Sequence, residues 1–395
     1  MNPRQLALDT LLKIEQDGSY SNLSVAGALK TNHLEGADKA FFTSLVYGVV
    51  ERKLTLDFNL EIYLTQPLKK LGPEARNILR LGTYQLLFMD KIPAHAAINE
   101  SVNLAKKNKA QYAAGLINAV LRKVDQNKLQ LPTEDKPNYL EIKYSCPQEL
   151  IDYFLDSYGK EKAIGILEHA NGPQKIYGRH KEKGLIELTP EDISNLPNNV
   201  HVQDKASQLC CEALDPKPGE TVFDMCAAPG GKSFTIAELM NNEGIVKSFD
   251  LYPQRVKLIE DGAKRLGLTI INAQVGDAEQ DNEALGLADR VLCDVPCSGL
   301  GDIGRKPEIR YKKVKDIDLL PPLQYNILVK SARHLKVYGT LVYSTCALNP
   351  KENEEVVEKF LKENANFKLK EQRTIFPHEE DCDGFFYAVL VKEND

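Results

Sequence analysis

The chain has 395 residues, enough for two or three domains with complete cores, and carries a formal charge of −6. No apolar run approaches the roughly 18 residues of a membrane span, and Met1-Asn2-Pro3-Arg4 does not open a signal-peptide core. Eight cysteines are scattered without a C-x-x-C pair, which argues against a disulfide framework and against a metal site and leaves the reduced thiols of a cytoplasmic protein.

The charge is unevenly placed. Residues 1–128 hold 17 Lys+Arg against 12 Asp+Glu, and within them 101–128 hold six basic residues against one acid. A basic end on an acidic body fits a polyanion-binding module or, more blandly, a solvated helix face. The same 128 residues read as all-helical. Asn2-Pro3 caps a first helix with Leu8, Leu11 and Leu12 on one face. Periodic apolar residues continue over 38–53, 74–89, 95–108 and 112–124. Gly82, inside the stripe over 74–89, would let a neighbouring helix approach closely. Such a bundle offers no nucleophile–base pair, so its jobs are packing and binding.

Residues 129–200 are mixed. Leu150–Tyr158 reads as helical, whereas 171–200 is rich in Gly, Pro, Asn and charge, shows few strand signals and is taken as an intermediate linker. From 201 the strand and helix patterns alternate, which implies a doubly wound parallel sheet. Strands are expected at 221–225, 245–250, 271–275, 290–294 and 340–345, with a closing pair near 367–370 and 385–392. Helices are expected at 232–240, 254–266, 322–336 and 352–362.

The informative residues sit where these strands end. T-V-F-D-M-C-A-A-P-G-G-K-S (221–233) is a strand, a glycine turn and a helix start, where a ligand can touch bare backbone. It lacks the first glycine of a phosphate-binding P-loop, since Cys226 stands there, and it is not G-x-G-x-x-G. Asp250 ends the second strand, placed for ribose hydroxyls, and Asp277 follows the third, placed for an adenine edge. An adenosine ligand without a phosphate chain fits, and S-adenosyl-L-methionine fits best.

The fourth and fifth strands end in C-D-V-P-C-S-G-L-G (293–301) and Y-S-T-C (343–346). Parallel strands deliver both loops to one sheet edge, so Cys297, Cys346 and Asp294 should share a site. Carbon 5 of a pyrimidine is too weak a nucleophile to take a methyl group directly. A thiolate that adds to carbon 6 makes carbon 5 nucleophilic, and a carboxyl group at ring nitrogen 3 eases the addition. An amino-methylating site needs no thiol, so these loops favour carbon methylation. Cys293, Cys210 and Cys211 read as core, and His334 as structural.

At these residues the chain resembles the Sun-type superfamily of RNA (cytosine-5) methyltransferases. The likeness rests on V-Q-D-K-A-S-Q-L (202–209), D-M-C-A-A-P-G-G-K-S (224–233), C-D-V-P-C-S-G-L-G (293–301), R-K-P-E-I-R-Y (305–311), L-V-Y-S-T-C-A-L-N-P-K-E-N-E-E-V-V (341–357) and D-G-F-F-Y-A (383–388). G-T-Y-Q-L-L (82–87) and G-L-I-N-A-V-L-R (115–122) resemble NusB, an RNA-binding antitermination factor. The resemblance implies an all-α NusB-like bundle over 1–128, an intermediate segment over 129–200, and a Rossmann-like class I methyltransferase domain over 201–395.

It also implies roles. Cys346 matches the nucleophile and Cys297 the thiol that resolves the covalent intermediate. Asp294 and Lys232 match groups that hold the cytosine. Cys226, Ala227, Ala228, Pro229, Gly230, Gly231 and Lys232, with Asp250, Asp277 and Asp294, match the S-adenosyl-L-methionine pocket. The basic stretch Arg305–Lys315 and the bundle would hold RNA backbone. The implied partner is RNA, 16S ribosomal RNA by virtue of the NusB-like fusion, acted on by a monomer with no DNA or membrane partner. Transfer RNA or 23S ribosomal RNA under the same chemistry remains open, as does a non-catalytic RNA-binding or antitermination factor. Relatives carry a longer segment ahead of V-Q-D, so the middle of this chain reads as shortened.

Overall fold

The apolar stripes of the first 128 residues become helices in a computed structural model that describes residues 2–17, 21–281 and 283–394. The chain divides into one compact unit of Met1–Ala163 with Arg305–Lys312 and a second of Ile164–Gly304 with Lys313–Asp395.

In the first unit, helices run over Pro3–Asp17, Ser21–Asn32, Gly36–Glu51, Lys53–Glu61, Pro73–Phe88, Ala94–Lys107 and Ala114–Asn127. Their apolar faces meet in one core where Leu8, Phe42, Leu45, Leu79 and Leu121 are fully buried. Helix Pro73–Phe88 packs closely at Gly82, where a Cβ would lie 2.6 Å from Leu121 Cδ1 and 2.8 Å from Ser101 Oγ. The close approach expected from that glycine is present.

The unit does not stop at residue 128. Asn59 clasps the backbone of Gln130 with both ends of its amide, at 2.8 and 3.0 Å. Ser145 Oγ accepts from Leu54 N at 2.9 Å, just beyond a short helix over Tyr139–Tyr144. These are polar attachments, invisible to a search for apolar periodicity. The segment 305–312 also belongs to this unit. Glu308 accepts from the Ser21 amide and hydroxyl at 3.1 and 2.6 Å, Tyr311 OH donates to Val50 O at 3.0 Å, and Arg310 is 1% exposed and donates to Tyr144 O at 3.2 Å. The basic stretch Arg305–Lys315 was expected to lie along RNA. At Arg310 that expectation fails, because its guanidinium is enclosed by protein.

The second unit holds two sheets. Residues 171–200, read as a linker poor in strands, form β1 (Ile176–His180), β2 (Gly184–Leu188) and β3 (Val200–Val202), paired antiparallel in the order β2-β1-β3. The alternation was hidden because β1 and β3 bury polar groups. Arg179 and His201 are 7% and 3% exposed, and Arg179 Nε donates to Glu238 Oε2 at 3.1 Å.

The main sheet comprises β4 (Thr221–Asp224), β5 (Ile245–Asp250), β6 (Ile271–Val275), β7 (Ala288–Asp294), β8 (Leu335–Thr345), β9 (Phe367–Ile375) and β10 (Phe385–Lys392). Its order is β6-β5-β4-β7-β8-β10-β9. The first five of these strands in space run parallel, and β10 pairs antiparallel with β8 and β9. Helices Gly231–Leu239, Pro253–Leu266, Pro321–Ala332 and Glu354–Glu363 match those expected, except that 333–336 turns into β8 instead of extending a helix. The chain winds one way from β4 to β6 and the other way from β7. The carboxyl ends of β4 and β7 therefore form the switch point at which such sheets bind ligands. Among the described residues, no helix is long and apolar enough to cross a membrane.

Candidate active site

Asp224 ends β4, and the chain turns through Gly230, at φ +112°, into helix Gly231–Leu239. Beside this turn lies a cleft of about 180 Å³. Of the residues expected around the donor, Cys226, Ala227, Ala228, Pro229, Gly231, Lys232 and Asp294 line it. Gly230, Asp250 and Asp277 do not. Asp250 lies buried at the neighbouring strand end, its carboxylate accepting from Tyr252 N at 3.2 Å and facing Arg255 at 3.4 Å. Asp277 is exposed at the end of the next strand and accepts from Glu279 N at 3.0 Å. The three strand ends follow one another along the sheet edge in the order an elongated ligand would meet them.

At the other side of the switch point, β7 and β8 bring the two cysteine loops together. Cys297 Sγ and Cys346 Sγ are 3.1 Å apart, and both thiols are free. Asp294 Oδ2 accepts from Lys232 Nζ at 2.8 Å, and Asp294 Oδ1 accepts from Ser344 Oγ at 2.8 Å. The expected quartet of Cys346, Cys297, Asp294 and Lys232 is thus assembled from three different strand ends.

A buried carboxylate holds the cysteine loops in place. Glu352 is 0% exposed. It accepts from Ser298 N, beside Cys297, and from Gln324 Nε2, both at 2.8 Å, and from Asn349 Nδ2 at 2.7 Å. Gln324 Nε2 also reaches Pro296 O at 2.9 Å. Asn353 Oδ1 accepts from Thr345 Oγ1 at 2.6 Å, and its Nδ2 donates to Ala347 O at 2.8 Å, on either side of Cys346. A third strand is brought in by Gly301, whose N donates to Cys346 O at 2.9 Å and whose carbonyl accepts from Gly384 N at 3.0 Å. A Cβ on Gly301 would strike Gly384 O at 1.9 Å, so no side chain fits there.

Burial opposes the Lys232 charge, but its neighbours, Asp294 foremost, raise its pKa, so it is a cation paired with Asp294. The Cys346 pKa lies well above the usual thiol value, first because of the hydrogen bond with Cys297 and then because of burial. In the ligand-free site Cys346 rests as a thiol. Burial likewise pushes Cys293 and Cys210 up to about 12, in keeping with their reading as core. His334 Nδ1 lies 3.1 Å from Gly286 O and is structural, as expected.

Several cleft residues had no assigned role: Gln203, Asp204 and Ser207 of V-Q-D-K-A-S, and Asp224. Glu352 was equally unassigned. Each lies inside a segment the resemblance had picked out, so the signal was there but carried no chemistry.

A switch-point cleft with a glycine turn, on this sheet order, defines the Rossmann-like methyltransferases. Comparison with known proteins narrows the class. Residues 211–391 match the family model "16S rRNA methyltransferase RsmB/F", and residues 1–126 match the NusB family. A probable ribosomal RNA small subunit methyltransferase B of Bacillus subtilis is 37% identical, with 99% of this chain and 98% of that protein covered. The ribosomal RNA small subunit methyltransferase B of Vibrio vulnificus is 33% identical, with 100% of both covered. The crystal structure of PH0851 superposes with a TM-score of 0.81 at 27% identity, over 99% of each chain. A methyltransferase homolog protein from Pyrococcus horikoshii superposes at 0.56 and 26% identity, over 66% of this chain and 100% of the other. The chain belongs to the RsmB/F family of ribosomal RNA methyltransferases. It is an S-adenosylmethionine-dependent methyltransferase of RNA. The Bacillus alignment spans 441 positions against a chain of 395, so that relative carries segments this chain lacks.

The residues present suit that donor. Asp224 is 0% exposed, and its Oδ2 accepts from Ser233 Oγ at 2.6 Å. Asp224 lines the cleft, and its buried Oδ1 has no hydrogen-bond partner, an acceptor suited to an ammonium group. Burial lifts its pKa to about 7, a cost that a cation beside it would relieve.

Proposed function

We propose that this chain methylates carbon 5 of a cytosine in 16S ribosomal RNA through a covalent bond between Cys346 Sγ and carbon 6. The supporting observation is the pair of sulfurs 3.1 Å apart beside the Lys232–Asp294 ion pair. An enzyme methylating an exocyclic amine would have no use for two thiols there.

Cys346, once it has lost its proton, bonds to carbon 6, and the ring electrons move to carbon 5. Asp294 and Lys232 hold the ring edge. Their ion pair lets a proton be shared toward nitrogen 3 as negative charge builds in the ring. Cys226–Lys232, with Asp250 and Asp277, would hold the donor, which would supply an electrophilic methyl group to carbon 5. Cys297, as thiolate, takes the carbon-5 proton, which restores the double bond and breaks the bond from carbon 6 to Cys346, expelling Cys346 as thiolate. The bundle of residues 1–128 holds the RNA backbone while the target base leaves its stack. That step costs least in a loop, which makes a loop cytosine the target.

The choice of 16S RNA rests on the relatives' small-subunit names and the NusB match. A trapping gel tests both parts. Cys297→Ala protein with S-adenosylmethionine and unmodified 16S RNA should give an SDS-stable protein–RNA adduct that disappears when Cys346→Ala is added. An adduct with transfer RNA or 23S RNA alone would overturn the substrate. No adduct with any of the three would overturn the covalent route.

A further inference from the structure

The donor cleft contains a second polar atom that the protein leaves unanswered. Gln203, just past β3, is 7% exposed, and its Nε2 has no hydrogen-bond partner. Its Oε1 is pinned from behind. Thr235 Oγ1 donates to it at 2.5 Å, and His201 Nε2 lies 3.3 Å away. Burial lowers the His201 pKa to about 4, so the ring is neutral. With Thr235 Oγ1 donating to Oε1, the amide is turned so that its NH₂ lies on the other side. Gln203 lines the cleft at the start of helix Gly231–Leu239, and a Cβ on Gly231 would sit 3.9 Å from its Nε2.

A buried amide donor without an acceptor costs stability unless a ligand supplies one. Beside the positive end of a helix, the fitting ligand group is an anion. Asp224, whose Oδ1 is the unpartnered acceptor, lines the same cleft. A donor and an acceptor facing one small cleft are complementary to an α-amino acid, whose carboxylate and ammonium lie on one carbon.

We propose that Gln203 Nε2, together with the first amides of helix Gly231–Leu239, binds the carboxylate of the methyl donor's amino-acid end. Thr235 and His201 act behind it as positioning residues by fixing the amide's orientation. The inference depends on the donor and not on the cytosine chemistry, so failure of the covalent route leaves it standing.

Calorimetric titration of the full chain with two probes tests it. S-Adenosylhomocysteine carries the amino-acid end, and methylthioadenosine keeps the adenosine and thioether but lacks it. Gln203→Ala should weaken S-adenosylhomocysteine by about tenfold or more, the usual worth of a hydrogen bond to a charged group, and leave methylthioadenosine within about twofold. Gln203→Glu, of the same size, should weaken the first probe further by setting two anions together. Equal losses for both probes would assign Gln203 to folding of the cleft and overturn the proposal. Tighter binding by Gln203→Glu would mean that this position faces the ammonium instead, and would also overturn it. Failure of the unaltered protein to bind S-adenosylhomocysteine would remove the donor assignment and the proposal together.

Discussion

The interior of the helical unit and the strand ends of the catalytic unit are equally buried but are held by different forces. Leu8, Phe42, Leu45 and Leu121 fill space, and their contribution follows from the apolar area they remove from water. Around Cys297 and Cys346, the fully buried side chains of Glu352, Asn349, Asn353 and Gln324 connect one loop to another through hydrogen bonds. Such bonds add little net stability each, but each is costly to leave unmade. The bundle should therefore respond to volume and the active site to hydrogen-bond pattern.

The largest expected effect is on chemistry alone. Cys346→Ala should abolish methyl transfer to RNA while leaving the melting temperature within a few degrees, as followed by tritium transfer and circular dichroism. Second comes pH. Because the Cys346 pKa is raised, the thiolate is scarce at neutrality and grows as pH rises. Alkylation of Cys346 by iodoacetamide in the donor-free protein should climb about tenfold per unit from pH 7 to 9. A plateau below pH 8 would show a thiolate already stabilised and overturn the resting-thiol reading.

Third, Glu352→Gln conserves volume but turns an amide toward donors that need an acceptor. It should cost about 2–4 kcal/mol in urea unfolding and lower the single-turnover rate at least tenfold. Fourth, Gly82→Val pushes Leu121 and Ser101 aside and should cost about 1–3 kcal/mol with little effect on the rate per folded molecule. Smallest is Leu45→Met, a swap of similar volume in the bundle core, at less than about 1.5 kcal/mol. If Glu352→Gln proved as mild as Leu45→Met, the contrast between the two regions would be broken.

The same contrast explains what could be read in the amino-acid sequence. The bundle helices and the β4–β8 alternation were legible because apolar periodicity reports packed faces. Cys297, Cys346, Asp294 and the glycine turn were legible because their residue types are rare at strand ends without chemistry. The small sheet β1–β3 was not, since its buried positions include Arg179 and His201, which pattern-reading assigns to solvent. Nor was the fate of Arg310, whose stretch looks like a surface for phosphates and in which only the fold reveals an enclosed guanidinium. Gln203 and Glu352 could be seen as members of motifs, but their work depends on which atoms are left with or without partners, and that is a property of three dimensions.

The membership of residues 305–312 in the helical unit has a consequence for synthesis on the ribosome. The helices up to Ala163 emerge first, but the place taken by Arg310 and Tyr311 waits for a segment made some 150 residues later. At 5–20 residues per second that delay is roughly 7 to 30 s. A nascent chain therefore carries an incomplete helical unit for longer than small domains usually take to fold. A stop codon placed at 163 would make that transient state permanent. The helical unit, as the fold builds it, is completed only by residues 305–312.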